Sequence, residues 1–332
     1  MRTPATLLVL TWSILAASTA PAAFAGPGRI IAIGDEWLLS DEAFIQQPAQ
    51  TVQLATNISA YFRTAGVGHH LVLSNSPAIG GFTGQRGVLG TRLAAAMTAA
   101  GNTWTVNPPI QFTLAALSNF DAIFFSGGLG SGAANAAILV QYVNAGGSVL
   151  VMSGTGDLGG ATAEANAWNP FLNSFGLAFA SSSYFGLPST TALLRVPTQL
   201  TANPLGASLS SVLWGFGQFA IDIDSANPAN EVALYGNFTG FASPPPGDVT
   251  RVPIIATYNI PSPDCIVDIA GGPILGAPDG IVDGSDFIAF INAFAAGDLL
   301  ADIADSTGSP PGDGIVDGND FTTFINAFAA GC

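Results

Sequence analysis

From residue 26 to about 260, short continuous apolar runs alternate with stretches of helical period. Arg29 to Ile33 (RIIAI) reads as a first strand, Ala55 to Phe62 as a helix, and His70 to Leu73 as a second strand. Gly90 to Ala100 is helical and Thr103 to Val106 is a short strand. Asp121 to Phe125 (DAIFF) is a strand ending in Ser126-Gly127-Gly128, and Ala134 to Val143 is a helix stopped by Gly146-Gly147. Ser148 to Met152 (SVLVM) is another strand, Ala163 to Phe175 a helix, and Glu231 to Tyr235 and Val252 to Tyr258 are late strands. Uniformly apolar strands separated by helices predict an α/β domain: a three-layer, mostly parallel sheet with helices on both faces. A separate small β domain from about residue 184 is the competing arrangement.

The pattern changes near the C-terminus. Phe287, Phe290, Ile291 and Phe294 repeat at i, i+3, i+4 and i+7, and so do Phe321, Phe324, Ile325 and Phe328. These are two apolar helical stripes, with Ser285 and Asn319 as N-caps and Gly297 and Gly331 as stops. Neither helix buries its stripe alone; two copies facing each other do. The expected unit is a small all-α module.

At the other end, Arg2 precedes the apolar run Leu7 to Ala17, and Ala23-Phe24-Ala25 fits a cleavage site. The run is too short for the ~20 residues of a transmembrane helix. The organisation read from the chain is therefore a signal peptide at 1–25, an α/β domain at 26–260, a linker at 261–264 (Pro261-Ser262-Pro263) and a repeated module at 265–332. The chain is read as secreted, either extracellular or at the cell surface, with no transmembrane helix in the mature protein.

Residues 265–298 and 299–332 are one sequence written twice, matching at 19 of 34 positions. Within each copy, Asp279-Gly280-x5-Asp286 and Asp313-Gly314-x5-Asp320 follow the second half of an EF-hand loop, with Asp closing it in place of Glu. Asp279 and Asp313 take loop position 5, and the carbonyls of Ile281 and Ile315 position 7. Asp283 and Asp317 take position 9, Asp286 and Asp320 position 12. Calcium is a hard cation that prefers six to eight oxygens, and this pattern supplies most of them. Charge supports a cation partner. Residues 261–332 carry 11 acidic and no basic side chains, and all seven basic residues of the chain are Arg. Such a tail repels nucleic acid and anionic membranes, and itself, until cations neutralise it.

With these residues in view, the tail resembles a dockerin, the duplicated loop–helix module of bacterial surface assemblies, and the closing Gly331-Cys332 resembles its GC-ended variety. The resemblance implies Ca2+ as cofactor and a cohesin-like domain or cell-surface component as partner. It places recognition at positions 10 and 11 of each loop, at Gly284-Ser285 and Gly318-Asn319. It further implies that the module's termini meet, so that Cys265 and Cys332 pair as a disulfide clasp; a free terminal thiol is the alternative. The chain departs from the usual loop in one respect. Asp268 and Asp302, the first-position ligands, precede Asp279 and Asp313 by 11 residues rather than four. A Gly- and Pro-rich insertion interrupts each loop, and position 3 becomes Ala270 or Ala304, which have no side-chain oxygen.

The stretch DAIFFSGG, a helix, then GGSVLVMSGTGD resembles a flavodoxin-like, class I glutamine amidotransferase-like domain. In that family a Cys follows the strand, with His and Glu later. Here Ser153 stands at the Cys position, and the chain's two histidines, His69 and His70, both precede it. Other candidates for chemistry are Ser126, Asp157, the acids Asp35, Glu36, Asp41 and Glu42, and the sugar-stacking rings Trp37, Trp168 and Trp214. Gly154-x-Gly156-x-x-Gly159 and the sequons at Asn57 and Asn237 are short motifs that carry little by themselves. The sequence thus points to a calcium-binding, dockerin-anchored protein whose α/β domain binds or scaffolds and does not catalyse. The alternative is a polysaccharide-directed extracellular hydrolase. Convergence of Ser126, Ser153, Asp157 and the 35–42 acids on one pocket would mark the enzyme; dispersed or backbone-capped groups would mark the scaffold.

Overall fold

The computed structural model describes residues 28–62, 68–76, 84–154, 158–181, 193–199, 201–215, 220–241, 247–259, 266–271, 274–275, 282–308 and 312–330. The leader, the linker, Asp157, Asp279, Ile281, Cys265 and Cys332 lie outside them.

In chain order the parallel core comprises β1 (Arg29–Ile33), α1 (Asp41–Gln46), α2 (Pro48–Phe62), β2 (His69–Ser74), α3 (Thr91–Ala99) and β3 (Thr103–Val106). It continues with α4 (Leu114–Leu117), β4 (Ala122–Ser126), α5 (Ala133–Asn144), β5 (Ser148–Met152) and α6 (Ala161–Leu172). The five strands pair in parallel in the order β3-β2-β4-β5-β1.

Every residue of β1, β4 and β5 is buried, because both faces of the sheet are covered. Ile31 and Ile33 belong with Leu54 and Ile58 of α2 and Leu93 and Met97 of α3. Their neighbours Ile30 and Ala32 belong with Leu139 and Tyr142 of α5 and Trp168 and Phe171 of α6. Successive strand side chains point to opposite faces, so two apolar faces require an unbroken apolar run.

Counted from β2, the strands β3-β2-β4-β5 have the 2-1-3-4 order of doubly wound sheets, and β1 takes the fifth place. β1 comes first in sequence yet lies beyond β5, at the far side of the core.

Past β1 the sheet turns antiparallel. After a short pair formed by β6 (Leu177–Phe179) with a later strand come β7 (Leu194–Gln199), β8 (Ser211–Trp214), β9 (Ile221–Ile223), β10 (Asn230–Gly236) and β11 (Val252–Asn259). β11 runs antiparallel beside β1, with Ile31 opposite Thr257, and β10, β7 and β8 follow outward. Nine described strands thus form one mixed sheet. Among the described residues, the strands from residue 184 do not form a separate β domain: they extend the same sheet, except that β9 pairs with β6, and a further two-stranded pair, Ala270–Gly271 with Ile274–Leu275, lies in the repeated segment. The expected parallel arrangement thus holds for the five-stranded core, while the four strands β11, β10, β7 and β8 make the whole sheet mixed.

In the repeated segment, α7 (Gly284–Ala296) and α8 (Gly318–Ala330) appear where the stripes predict them. Phe290 and Phe324 are fully buried and stack with ring centroids 3.8 Å apart and planes 10° apart. Around them Phe287 meets Phe328 at 5.7 Å, and Phe294 meets Phe321 at 5.6 Å. Exchanging the two copies turns each of these flanking contacts into the other and leaves the central stack unchanged. The helices therefore pack antiparallel about a local pseudo-twofold. Val267, Ala301 and Ile303 close this small core.

Candidate functional site

Open α/β sheets place ligands outside the carboxyl ends of their strands, at the switch point where the chain reverses direction across the sheet. Here that point lies between β2 and β4, whose ends bring Ser74 beside Ser126. The hydroxyls of Ser74 and Ser126 are 2.5 Å apart, and the Ser76 hydroxyl donates to that of Ser126 at 3.2 Å. All three serines are buried. A 3₁₀ turn at Gly87–Leu89 packs over them. A Cβ on Gly87, at φ +57°, would stand 2.6 Å from the Ser126 hydroxyl and 3.1 Å from Glu36 Oε2. Only a glycine admits so close an approach in that conformation.

Of the acids after β1, Asp35, Glu36 and Asp41 are buried and committed to the backbone, while Glu42 is half-buried and accepts from Gln46 Nε2 at 2.7 Å. Asp35 caps the next turn: Oδ1 accepts from Trp37 N at 3.0 Å and Oδ2 from Gly215 N at 2.9 Å. Burial nonetheless raises its pKa well above the usual carboxylate value; those two bonds oppose the shift, Glu36 adds to it and Arg86 counters it. Glu36 Oε1 accepts from Gly127 N at 2.7 Å, and Oε2 lies 3.6 Å from Arg86 Nε, both side chains being almost wholly buried. Asp41 gathers Arg92 N at 2.8 Å on Oδ1 and Gln85 N at 3.0 Å on Oδ2. At the end of β5, Ser153 donates to Glu164 Oε2 at 3.1 Å, and the same oxygen accepts from Gly154 N at 2.7 Å. Each buried carboxylate closes a turn against backbone N–H groups.

The histidines stand at the opposite end of the strands. His70 pairs with Ala122 at the start of β4, four residues before the Ser74–Ser126 rung, roughly 13 Å away at strand rise. It is buried between the rings of Trp104 and Phe124. His69 is exposed, 3.7 Å from Asp121. No serine–histidine pair can form across that span. Trp37, Trp168 and Trp214 are core residues, 4%, 1% and 0% exposed, and Trp168 Nε1 donates to Gly127 O. The amide nitrogen of Asn57 donates to the carbonyls of Leu205 and Ala207, so this sequon side chain is held in the fold.

Sequence reasoning missed Glu164 and Arg86, which hold this rim together. The available signal for Glu164 was an acid in the first turn of a helix that opens on Gly159-Gly160. Arg86 sits in a loop, and nothing local marks its pairing with Glu36.

In the repeated segment the second copy is described through most of its loop. Asp302 and Asp313, 11 residues apart in sequence, meet directly. Asp302 Oδ1 accepts from Asp313 N at 2.9 Å, and Oδ2 from Gly314 N at 2.6 Å. The 11-residue gap is thereby closed, and the first-position carboxylate lies against the turn at Gly314, as an EF-hand-like loop requires. Asp313 and Asp317 are exposed, each with one oxygen bonded to a backbone N–H, from Ile315 and Asn319 respectively. These outer carboxylates keep lone pairs open for a hard cation.

The closing carboxylates do not. Asp286 and Asp320 are fully buried, and each accepts three backbone N–H groups. Among the described residues, no three His, Cys, Asp or Glu side chains gather into a metal-holding group. That holds for Asp302, Asp313, Asp317 and Asp320 of the second copy, all of them described. Burial and backbone bonding set the twelfth position against a metal-ligand role, while Asp313 and Asp317 keep open lone pairs without being gathered about one point.

The N-caps are also corrected. Asp283 caps α7 and forms a capping box with Asp286, and Asp317 holds the equivalent place before α8. Ser285 and Asn319 lie within the first turn, half-buried. Two helical positions past each cap, their N–H groups donate to Asp283 and Asp317.

None of the described helices is long and apolar enough to cross a membrane. Compared with protein-family models, with curated proteins and with solved structures, the chain matches none.

Proposed function

We propose that the chain is a secreted protein anchored by a dockerin-like, calcium-binding C-terminal module, and that its α/β domain binds or scaffolds rather than catalyses. The observation that carries the anchoring half is the symmetric pairing of α7 with α8. A module that presents two equivalent loop–helix faces needs such a pseudo-twofold. Support for the cation comes from Asp302, brought across its insertion to the Gly314 turn. Asp268, Asp279, Ile281 and Asp283 are the proposed equivalents in the first copy. Asp302, Asp313, Ile315 and Asp317 are those of the second. Ser285 and Asn319, at the exposed openings of the two helices, are the proposed contacts for a cohesin-like partner. The Cys265–Cys332 clasp remains part of the proposal.

The binding reading of the α/β domain rests on how its rim is used. Asp35, Glu36, Asp41 and Ser153 are capped or paired within the fold, and the histidines lie at the far end of the strands. The test is direct. Terbium or calcium is titrated into the full secreted chain, followed by directly excited terbium luminescence and by calorimetry. Saturable binding that Asp302→Asn and Asp313→Asn weaken at least tenfold is expected. Absence of binding at millimolar calcium, the weak end of the range for extracellular modules, would remove the cation from the proposal.

A further inference from the structure

We infer that Asp286 and Asp320, which close the two loops in sequence, are backbone staples, and that the α7–α8 pair folds without a divalent cation. The inference rests on hydrogen bonds and burial, and it departs from the expectation that the acidic tail repels itself until cations neutralise it.

The observation is made twice, once in each copy. Asp286 Oδ1 accepts from Ile269 N and Ala270 N, both at 2.8 Å, and Oδ2 accepts from Asp283 N at 2.9 Å. Asp320 Oδ1 accepts from Ile303 N and Ala304 N, both at 2.8 Å, and Oδ2 from Asp317 N at 2.7 Å. Neither side chain is exposed to water. An ionised carboxylate offers roughly four acceptor positions, and three are filled. What remains is one lone pair on Oδ2, too little for the bidentate closure that an EF-hand loop takes from its last residue.

Each carboxylate ties three parts of its repeat together. It holds the Asp-Ile-Ala entry segment, the turn before the helix, and the helix's own first turn. The bonds are charge-assisted, and so are stronger than neutral ones. The same ties set Val267 and Ile303 against Phe290 and Phe324. Alanine at the third loop position, a defect in a calcium site, is what this arrangement uses: Ala270 and Ala304 need only present an N–H, and both are buried. Calcium, on this account, acts at the exposed outer carboxylates after the fold exists, where it relieves charge and shapes the docking face.

Hydrogen exchange on the full secreted chain tests this, reading peptides across α7 and α8 in excess chelator and in excess calcium. Protection of both helices is expected to differ less than about twofold between the two conditions. Asp313→Asn should leave it unchanged, and Asp320→Ala should abolish it in α7 and α8 with or without calcium. Protection present in calcium and lost in chelator overturns the inference, as does Asp320→Ala keeping its protection once calcium is in excess. Should Asp320→Ala fail to accumulate, Asp320→Asn serves. It keeps an acceptor for Ile303 and Ala304 but sets a donor against Asp317 N, and should speed exchange of α8 in chelator by about fivefold, the equivalent of one lost hydrogen bond. Exchange equal to that of the unaltered chain overturns the inference. Terbium binding in the same samples reports separately on the outer carboxylates, so the two proposals fail independently.

Discussion

Asp35 shows how far a single side chain departs from what its neighbours in sequence suggest. In Asp35-Glu36 it reads as a solvated loop acid, yet it is fully buried between Trp37 N and Gly215 N, the latter 180 residues away. Its raised pKa sets the sign of a pH effect. The folded state holds the proton more tightly than the unfolded chain. The associated stability is therefore fully present below about pH 3.8 and declines as pH rises through the higher folded value. Denaturant unfolding of the native chain and of Asp35→Asn, compared from pH 3.5 upward, should show the native chain losing ground to the variant as pH rises. A second residue-scale expectation concerns Gly87. Alanine there meets Ser126 and Glu36 at a positive φ, and should lower stability by about 1–3 kcal/mol in equilibrium unfolding. At the helix openings, Asp283→Ala should cost about 1 kcal/mol through loss of the capping box, whereas Ser285→Ala should be near neutral. Thermal melts of the two variants distinguish the observed cap from the one that sequence pattern favoured. The cap was misplaced because Ser285 and Asp283 are both good capping types two residues apart. Local preference does not choose between them; the position of the first helical turn does.

At the scale of elements, β3 and β5 have the limits that their apolar runs predict, and α3 and α5 differ only at the ends. Such elements are legible because periodicity is local. α2 begins at Pro48, seven residues before its expected start, since Pro is well suited to a first helical turn and the buried Thr51 ties that turn to Ala43 O and Gln47 O. β7, β8 and β9 were not anticipated. They are short, lie at or near sheet edges, and carry mixed faces that give no clean alternation. The two aromatic helices behave as a unit. Phe324 lies between Phe290 and Phe328 and is fully buried, so Phe324→Ala should cost about 3–5 kcal/mol. Because the core is shared, hydrogen exchange should show α7 and α8 opening together while β1, β4 and β5 keep their protection.

For the whole molecule, charge and connectivity matter more than any contact. The net charge of −15 is concentrated in residues 261–332, which hold no basic side chain. Self-repulsion there is screened by salt, so raising ionic strength from about 0.01 to 0.15 M, which shortens the Debye length from about 30 to 8 Å, should stabilise α7 and α8 more than the sheet. Differential scanning calorimetry or residue-resolved exchange across that range checks it. The sequence by itself determined the α/β class, the duplication and the two apolar helical stripes, because burial on one or two faces writes a period into neighbouring residues. Only the tertiary structure decided that the late strands join the first sheet, that β1 lies beyond β5, and that the buried acids after β1 close turns within the fold. It also decided that Asp286 and Asp320 hold their own backbone. Strand order and hydrogen-bond partners are chosen between residues far apart in the chain, and the spacing of neighbours carries no record of that choice.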